Sequence, residues 1–173
     1  DAIASNFPFI QQEDIPNDVL TTFFRGKFVA EQKAFLKDSS FKINERSDYF
    51  TYCIYNSIRF LNKDGLLSAI TSNAWLGKEY GFQFKKFLLD NFHIKYIVRS
   101  NAEHWFSDSK VSTIFSVLQR GQSKVPTKFV TLNFKLEETF NQENVSAQIK
   151  EIEDFYTDLD NCSNPKHLGW IKD

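Results

Sequence analysis

Apolar residues recur along the chain with two spacings, and the change from one to the other marks out the elements. Residues 1–5 form a short apolar run of strand character, and the polar, Pro-interrupted QQEDIPND after Ile10 reads as a loop. Residues 18–40 predict one or two irregular helices, with Gly26 breaking the period. From Ser47 and Asp48, both good N-cap types, Phe50, Ile54, Ser57, Ile58 and Leu61 recur at helical spacing and predict a helix ending near NKDG at 62–65. GLLSAITS at 65–72 is a continuous apolar run between Gly65 and the polar Ser72–Asn73, which suits a central strand covered on both faces. GKEYGFQFKKFLLDNF at 77–92 returns to the helical period through Tyr80, Phe84, Phe87 and Leu88, and IKYIVR at 94–99 is a further strand. VSTIFSVLQRG at 111–121 is the last strong one.

The order strand, helix, strand, helix, strand, strand predicts an α/β fold. Strands separated by helices pair in parallel through crossovers, whereas two strands joined by a loop pair antiparallel. The expected architecture is therefore an open, mostly parallel sheet with one antiparallel edge strand, and the run ending at Ser5 is expected to be buried. Residues 1–121 form that domain, and 122–173 read as a connecting segment: a possible strand KFVTLNF at 128–134, a charged helical stretch at 135–159 and a tail.

Composition narrows the function classes more than the fold. With 173 residues, 42% hydrophobic and 25% charged, the chain is a globular domain or part of one. No apolar run approaches the roughly 18 residues that span a bilayer and no signal-peptide pattern is present, so no membrane partner and a cytoplasmic location are expected. Cys53 and Cys162 stand far apart, and with three scattered His they predict neither a disulfide framework nor a metal site. A net charge of -1 means that a polyanionic partner would owe much of its electrostatic contact to other segments. The chain opens inside an apparent strand and contains no Met, the reading of a segment from a longer polypeptide.

The chemistry is concentrated after the first strand. Ligands of open parallel sheets sit at the carboxyl ends of the strands, and Asn6, Phe7, Pro8 and Phe9 occupy that place. Pro8 keeps Phe7 extended, so that the Phe7 carbonyl and the Asn6 side-chain carbonyl face one point, while Phe9 offers a flat face for a planar ring. Two acceptors beside a stacking surface suit the methylation of an exocyclic amine. The amino nitrogen of adenine has its lone pair delocalised into the ring. Holding its two protons redirects that pair toward a methyl donor and stabilises the charge that develops.

These residues resemble the N-P-P-Y or N-P-P-F motif that follows the fourth strand of the amino-group DNA methyltransferases. SNFPFI with QQEDI is similar to the version in adenine-N6 methylases of restriction-modification systems, including the Eco57I-like fusions of methylase and nuclease. SDYFTYCIYNSIRF and the segments after it resemble the next helix, strand and helix of those enzymes, and WFSDSKVSTIFSVLQ resembles their closing hairpin, so that residues 1–121 are covered. The resemblance implies the second half of a Rossmann-like catalytic domain, followed by a connection toward a target-recognition domain. It implies that Asn6 and the Phe7 carbonyl accept the amino protons of a flipped adenine in double-stranded DNA, that Phe9 stacks on the base and that Phe106 packs against it from another side. The methyl donor it implies is S-adenosylmethionine.

This chain departs from the family at two points. Phe7 stands where the family has Pro, which restores a backbone N–H, and the six glycines are dispersed with no G-x-G turn for the donor. Two function classes remain open on the sequence. One is the acceptor half of a DNA adenine-N6 methyltransferase, and the other is a catalytically inactive DNA-binding or assembly module. Trp75, after the second strand, either borders the DNA cleft or packs in the core; Lys110, like Lys78, Lys85 and Lys86, either meets phosphate or is solvated. Asp48 resembles a catalytic carboxylate, but a helix cap is the reading its position favours. If the first three strands of such a sheet lie elsewhere, the strand ending at Ser5 presents an unpaired edge for self-association.

Overall fold

A computed structural model of the chain describes residues 1–106 and 111–133, together with 135, 146–147, 149–150, 153–154, 157 and 171–172. The chain divides into two compact units, Asp1–Ile97 with Ser109–Lys128, and Val98–Asp108 with Phe129–Asp173. The first holds a Rossmann-like α/β sheet.

Strand β1 (Ala2–Asn6) pairs in parallel with β2 (Leu66–Ser72), Asn6 opposite Ile70, so the two carboxyl ends share one sheet edge. A π-helical segment, Val19–Phe28, runs directly into helix α1 (Val29–Leu36). Gly26 does not interrupt it. Leu20, Phe24 and Phe28 are buried at four-residue spacing, and their packing outweighs the roughly 1 kcal/mol that a helical glycine costs. Phe24 lies against Tyr52, ring centroids 4.2 Å apart, which ties this segment to helix α2 (Tyr49–Ser57). A short helix α3 (Ala74–Gly77) leaves β2 and is followed by α4 (Gly81–Asn91), β3 (Phe92–Ser100) and β4 (Thr113–Arg120). Helices α3 and α4 approach so closely that a Cβ at Gly81 would overlap the Trp75 carbonyl, and only glycine fits there.

Two expectations about the sheet are corrected. The reversed strand is not at the edge: the order in the first unit is β1-β2-β4-β3, with β4 antiparallel to β2 and Ser72 opposite Thr113. Ile114 and Leu118 of β4 are both nearly fully buried, as an interior strand requires. Among the described residues β1 lies at an edge: it alternates between exposed and half-buried residues and has no buried position, because β2 is the one strand described beside it. The helix from Tyr49 and the strand from Leu66 agree with the sequence.

The core of this unit is aromatic. Phe84 of α4 is completely buried and meets Phe50, Tyr55 and Trp75 edge-on, with centroids 6.1, 5.5 and 5.3 Å away. In the second unit β5 (Lys128–Leu132) pairs antiparallel with β6 (Ile171–Lys172), and the Asn101 amide donates to the Leu132 carbonyl at 2.9 Å. Most of the expected helical stretch at 135–159 and of the tail lies outside the described residues. Among the described residues, no helix is long and apolar enough to cross a membrane.

An unpaired strand edge is a template for another strand. The chain 1–173 is expected to gain mass with concentration in size-exclusion light scattering, and Ala4→Lys, a charge on the exposed side of β1, is expected to suppress it. A wild-type chain that stays monomeric at high concentration would refute this use of the edge.

Candidate functional site

The site is built where β1 ends. The ladder to β2 continues one residue past the strand, the Phe7 amide donating to the Ile70 carbonyl at 3.4 Å. Pro8 has no N–H and closes the ladder there. The Phe7 ring is partly buried against the hydrophobic core. Bond and ring together hold the Phe7 backbone at the end of the strand. The Phe7 carbonyl and the exposed Asn6 side chain have no hydrogen-bond partner among the described residues.

Beside them is a cavity of about 390 Å³ lined by Phe9, Gln11, Ser72, Asn73, Lys78, Val111 and Ser112. Its volume falls in the range of about 300–1,000 Å³ common to small-molecule sites. Three backbone segments meet here: the loop after β1, the exit of β2 and the entry to β4. The Ser72 hydroxyl accepts from the Ala74 amide at 3.1 Å and the Asn73 amide donates to the Ser112 carbonyl at 2.9 Å, which locks the β2 exit against β4. Among the described residues the wall offers one ring, four neutral polar side chains and a single charge, the Lys78 ammonium. Such a lining can stack a planar ring, hydrogen-bond its edge and attract an anion.

Behind the cavity wall a buried carboxylate joins two loops. Asp48, 6% exposed, accepts from the Gln12 amide at 3.2 Å through Oδ1 and from the Tyr80 hydroxyl at 2.6 Å through Oδ2. The Tyr49 amide adds a bond to the Ile10 carbonyl at 3.0 Å. Burial first, and then the Asp48 carboxylate, push the Tyr80 hydroxyl well above the ordinary phenol range, so it remains a donor. The helix-cap expectation is corrected in part: Asp48 occupies the N-cap position of α2 with extended backbone, but its side chain makes no cap bond. Its backbone carbonyl takes the Thr51 amide and hydroxyl at 3.1 and 2.7 Å, which frees the carboxylate for the loops.

The structure brings Phe9 to the cavity and places Asn6, Phe7 and Pro8 at the strand end leading to it. Trp75 goes to the core instead: it is 2% exposed, its Nε1 donates to Thr71 Oγ1 at 3.3 Å and its ring meets Phe84. Phe106 is half-buried and belongs to the second unit, and Lys110 lies outside the described residues. The sequence reading overlooked Gln11, Ser72, Asn73 and Ser112 as cavity walls. The rule that ligands sit at strand carboxyl ends would have marked Ser72 and Asn73, which were read as a strand boundary.

Comparison with known proteins gives these positions a context. The family model for the Eco57I restriction-modification methylase matches residues 1–106. The Type II methyltransferase M.BstVI of Geobacillus stearothermophilus is 26% identical over 98 residues, which span 57% of this chain and 15% of that protein. A class I S-adenosylmethionine-dependent methyltransferase from Listeria monocytogenes superposes with a TM-score of 0.56 at 18% identity, covering 92% of this chain and 42% of its own. The type IIG restriction endonuclease BpuSI superposes with a TM-score of 0.65 at 16% identity, over 95% of this chain and 17% of its own. At these identities the two structures speak for the fold. The chain spans less than half the length of each of these three proteins.

Proposed function

We propose, from the premise that the chain belongs to the Eco57I restriction-modification methylase family, that it supplies the methyl-acceptor side of a DNA methyltransferase acting on the N6 amine of adenine. The observation that carries this is the pair of unengaged acceptors, Asn6 Oδ1 and the Phe7 carbonyl, at the carboxyl end of β1 beside the Phe9 cavity.

The acceptors are matched to an amine with two protons. Asn6 and Phe7 each take one, which pyramidalises the nitrogen, takes its lone pair out of conjugation with the ring and aims it at the donor. The Phe7 backbone is held at the strand end before the substrate arrives, so this acceptor needs little reorganisation as positive charge builds on nitrogen. Phe9 stacks on the extruded base, and the polar cavity wall receives its edge or the neighbouring phosphodiester, with Lys78 as the cation. On the family resemblance alone, Phe106 and Lys110 are proposed as further contacts to the base and to the DNA backbone. S-adenosylmethionine would supply an electrophilic methyl on a sulfonium: the S–CH3 bond breaks as the N–C bond forms, S-adenosylhomocysteine leaves as the neutral thioether, and the surplus amine proton passes to solvent. With its six glycines dispersed, this chain offers no donor-binding turn, and none of its residues is assigned to hold the donor.

The test is transfer of labelled methyl from S-adenosylmethionine to unmethylated DNA by the full-length protein containing this chain, with the product digested to nucleosides. Label on N6-methyladenine supports the reading. Label on N4-methylcytosine would move the substrate to another base, and no label from a folded, donor-binding protein would favour a DNA-binding or assembly role instead.

A further inference from the structure

We infer that Asp48 is a positioning residue of the acceptor site, a buried clamp that holds the two loops walling the Phe9 cavity at a fixed separation. The inference rests on the acceptor-site reading above and assigns its support. One loop carries Phe9 and Gln11 into the cavity and reaches Asp48 through the Gln12 amide. The other carries Lys78 and reaches the same carboxylate through the Tyr80 hydroxyl. In each case the bonded group lies one or two residues beyond a cavity-lining side chain. Moving the carboxylate therefore moves both walls.

A catalytic carboxylate would look different. Both Asp48 oxygens are engaged, the side chain is nearly fully buried and it is not among the cavity-lining residues. It has no path to an amine proton. A helix cap would also look different, because the α2 amides make no bond to the side chain. What remains is a link between segments 36 and 32 residues away in sequence, reinforced by the Tyr49 amide on the Ile10 carbonyl. Hydrogen bonds to a buried charge are the stronger kind, and losing the acceptor strands a buried donor, the Tyr80 hydroxyl, and a part-buried one, the Gln12 amide, together.

Amide substitution separates the two roles. In Asp48→Asn the amide oxygen still accepts from the Gln12 amide, and its NH2 donates to the Tyr80 oxygen, so the clamp survives without charge. In Asp48→Leu it does not. In the full-length protein we expect Asp48→Asn to keep the single-turnover methyl-transfer rate within about 3-fold, Asp48→Leu to lose roughly 10-fold or more and Tyr80→Phe to fall between them, with the donor KM unchanged in all three. Amide exchange read over residues 9–14 tracks the clamp without any need for activity. It should accelerate about 10-fold or more in Asp48→Leu and little in Asp48→Asn. Tyr52→Phe, which removes a buried hydroxyl with no hydrogen-bond partner among the described residues, is the control for a merely structural loss and should change neither reading.

Asp48→Asn as inactive as Asp48→Leu while its exchange stays native would assign a role to the charge and overturn the clamp. Native exchange in Asp48→Leu would overturn it directly. If the wild-type protein transfers no methyl to DNA, the function reading fails, and the exchange arm still decides whether Asp48 holds the loops.

Discussion

Asn6→Ala is expected to lower methyl transfer by the full-length protein roughly 10³-fold, about 4 kcal/mol of barrier, with DNA binding changed little. Asn6 is exposed and its amide engages no other group among the described residues, so its removal leaves no buried partner unsatisfied and no cavity behind. The fold should not notice. What disappears is one of two acceptors, and the remaining Phe7 carbonyl can hold only one amine proton, leaving the lone pair conjugated with the ring. The loss therefore belongs to the chemical step. Single-turnover rates measured beside DNA affinity and thermal midpoint separate the outcomes. An unchanged rate would remove Asn6 from the mechanism, and an equal loss of DNA affinity would make it a binding residue.

Phe7 bears on the same step. A residue with a free N–H in place of the family's proline raised the prospect of a loose backbone and an inactive module. The N–H is not free: it extends the parallel ladder to Ile70, while the ring is seated against the core. The proline's covalent constraint is replaced by a hydrogen bond and a packing contact, both holding the carbonyl at the strand end.

The sequence made this strand end legible because its cause is local. Pro8 terminates a ladder wherever it stands, and the two helices with a clear 3.6 period, from Tyr49 and Gly81, bury the residues their spacing selects. What stayed hidden depends on distant partners. The insertion of β4 between β2 and β3 leaves no mark on either strand's own pattern, since an interior strand reads alike whichever neighbours it has. The exposure of β1 reflects how many strands flank it, not its residues. Trp75 follows a strand as a cleft-lining aromatic would, and only the rings of α4 draw it inward. Asp48 is the sharpest case. The residue types that cap helices are those that anchor loops, and the Gln12 and Tyr80 bonds that distinguish the two roles come from far along the chain.

Phe84→Ala is expected to cost about 3–5 kcal/mol of stability, a large part of the 5–15 kcal/mol that typical domains possess. The ring is completely buried and is the common neighbour of Phe50, Tyr55 and Trp75, so truncation removes three edge-on contacts and opens a cavity that Gly81's tight approach to Trp75 prevents α4 from closing. Two positions earlier on the same helix, Phe82 is 72% exposed, and Phe82→Ala should stay within about 0.5 kcal/mol. Urea unfolding of the pair isolates burial from helix propensity, because both exchange the same side chain in the same element. The effect should reach the site as well. Phe84 backs Trp75, Trp75 anchors the short helix that leads from Ser72 to Lys78, and these last two are cavity walls. Activity in Phe84→Ala is therefore expected to fall at temperatures below global unfolding, as the Ser72–Lys78 wall loosens first. Equal midpoints for the two variants would mean that α4 is not packed as described, and full activity up to the melting transition would uncouple the aromatic core from the cavity.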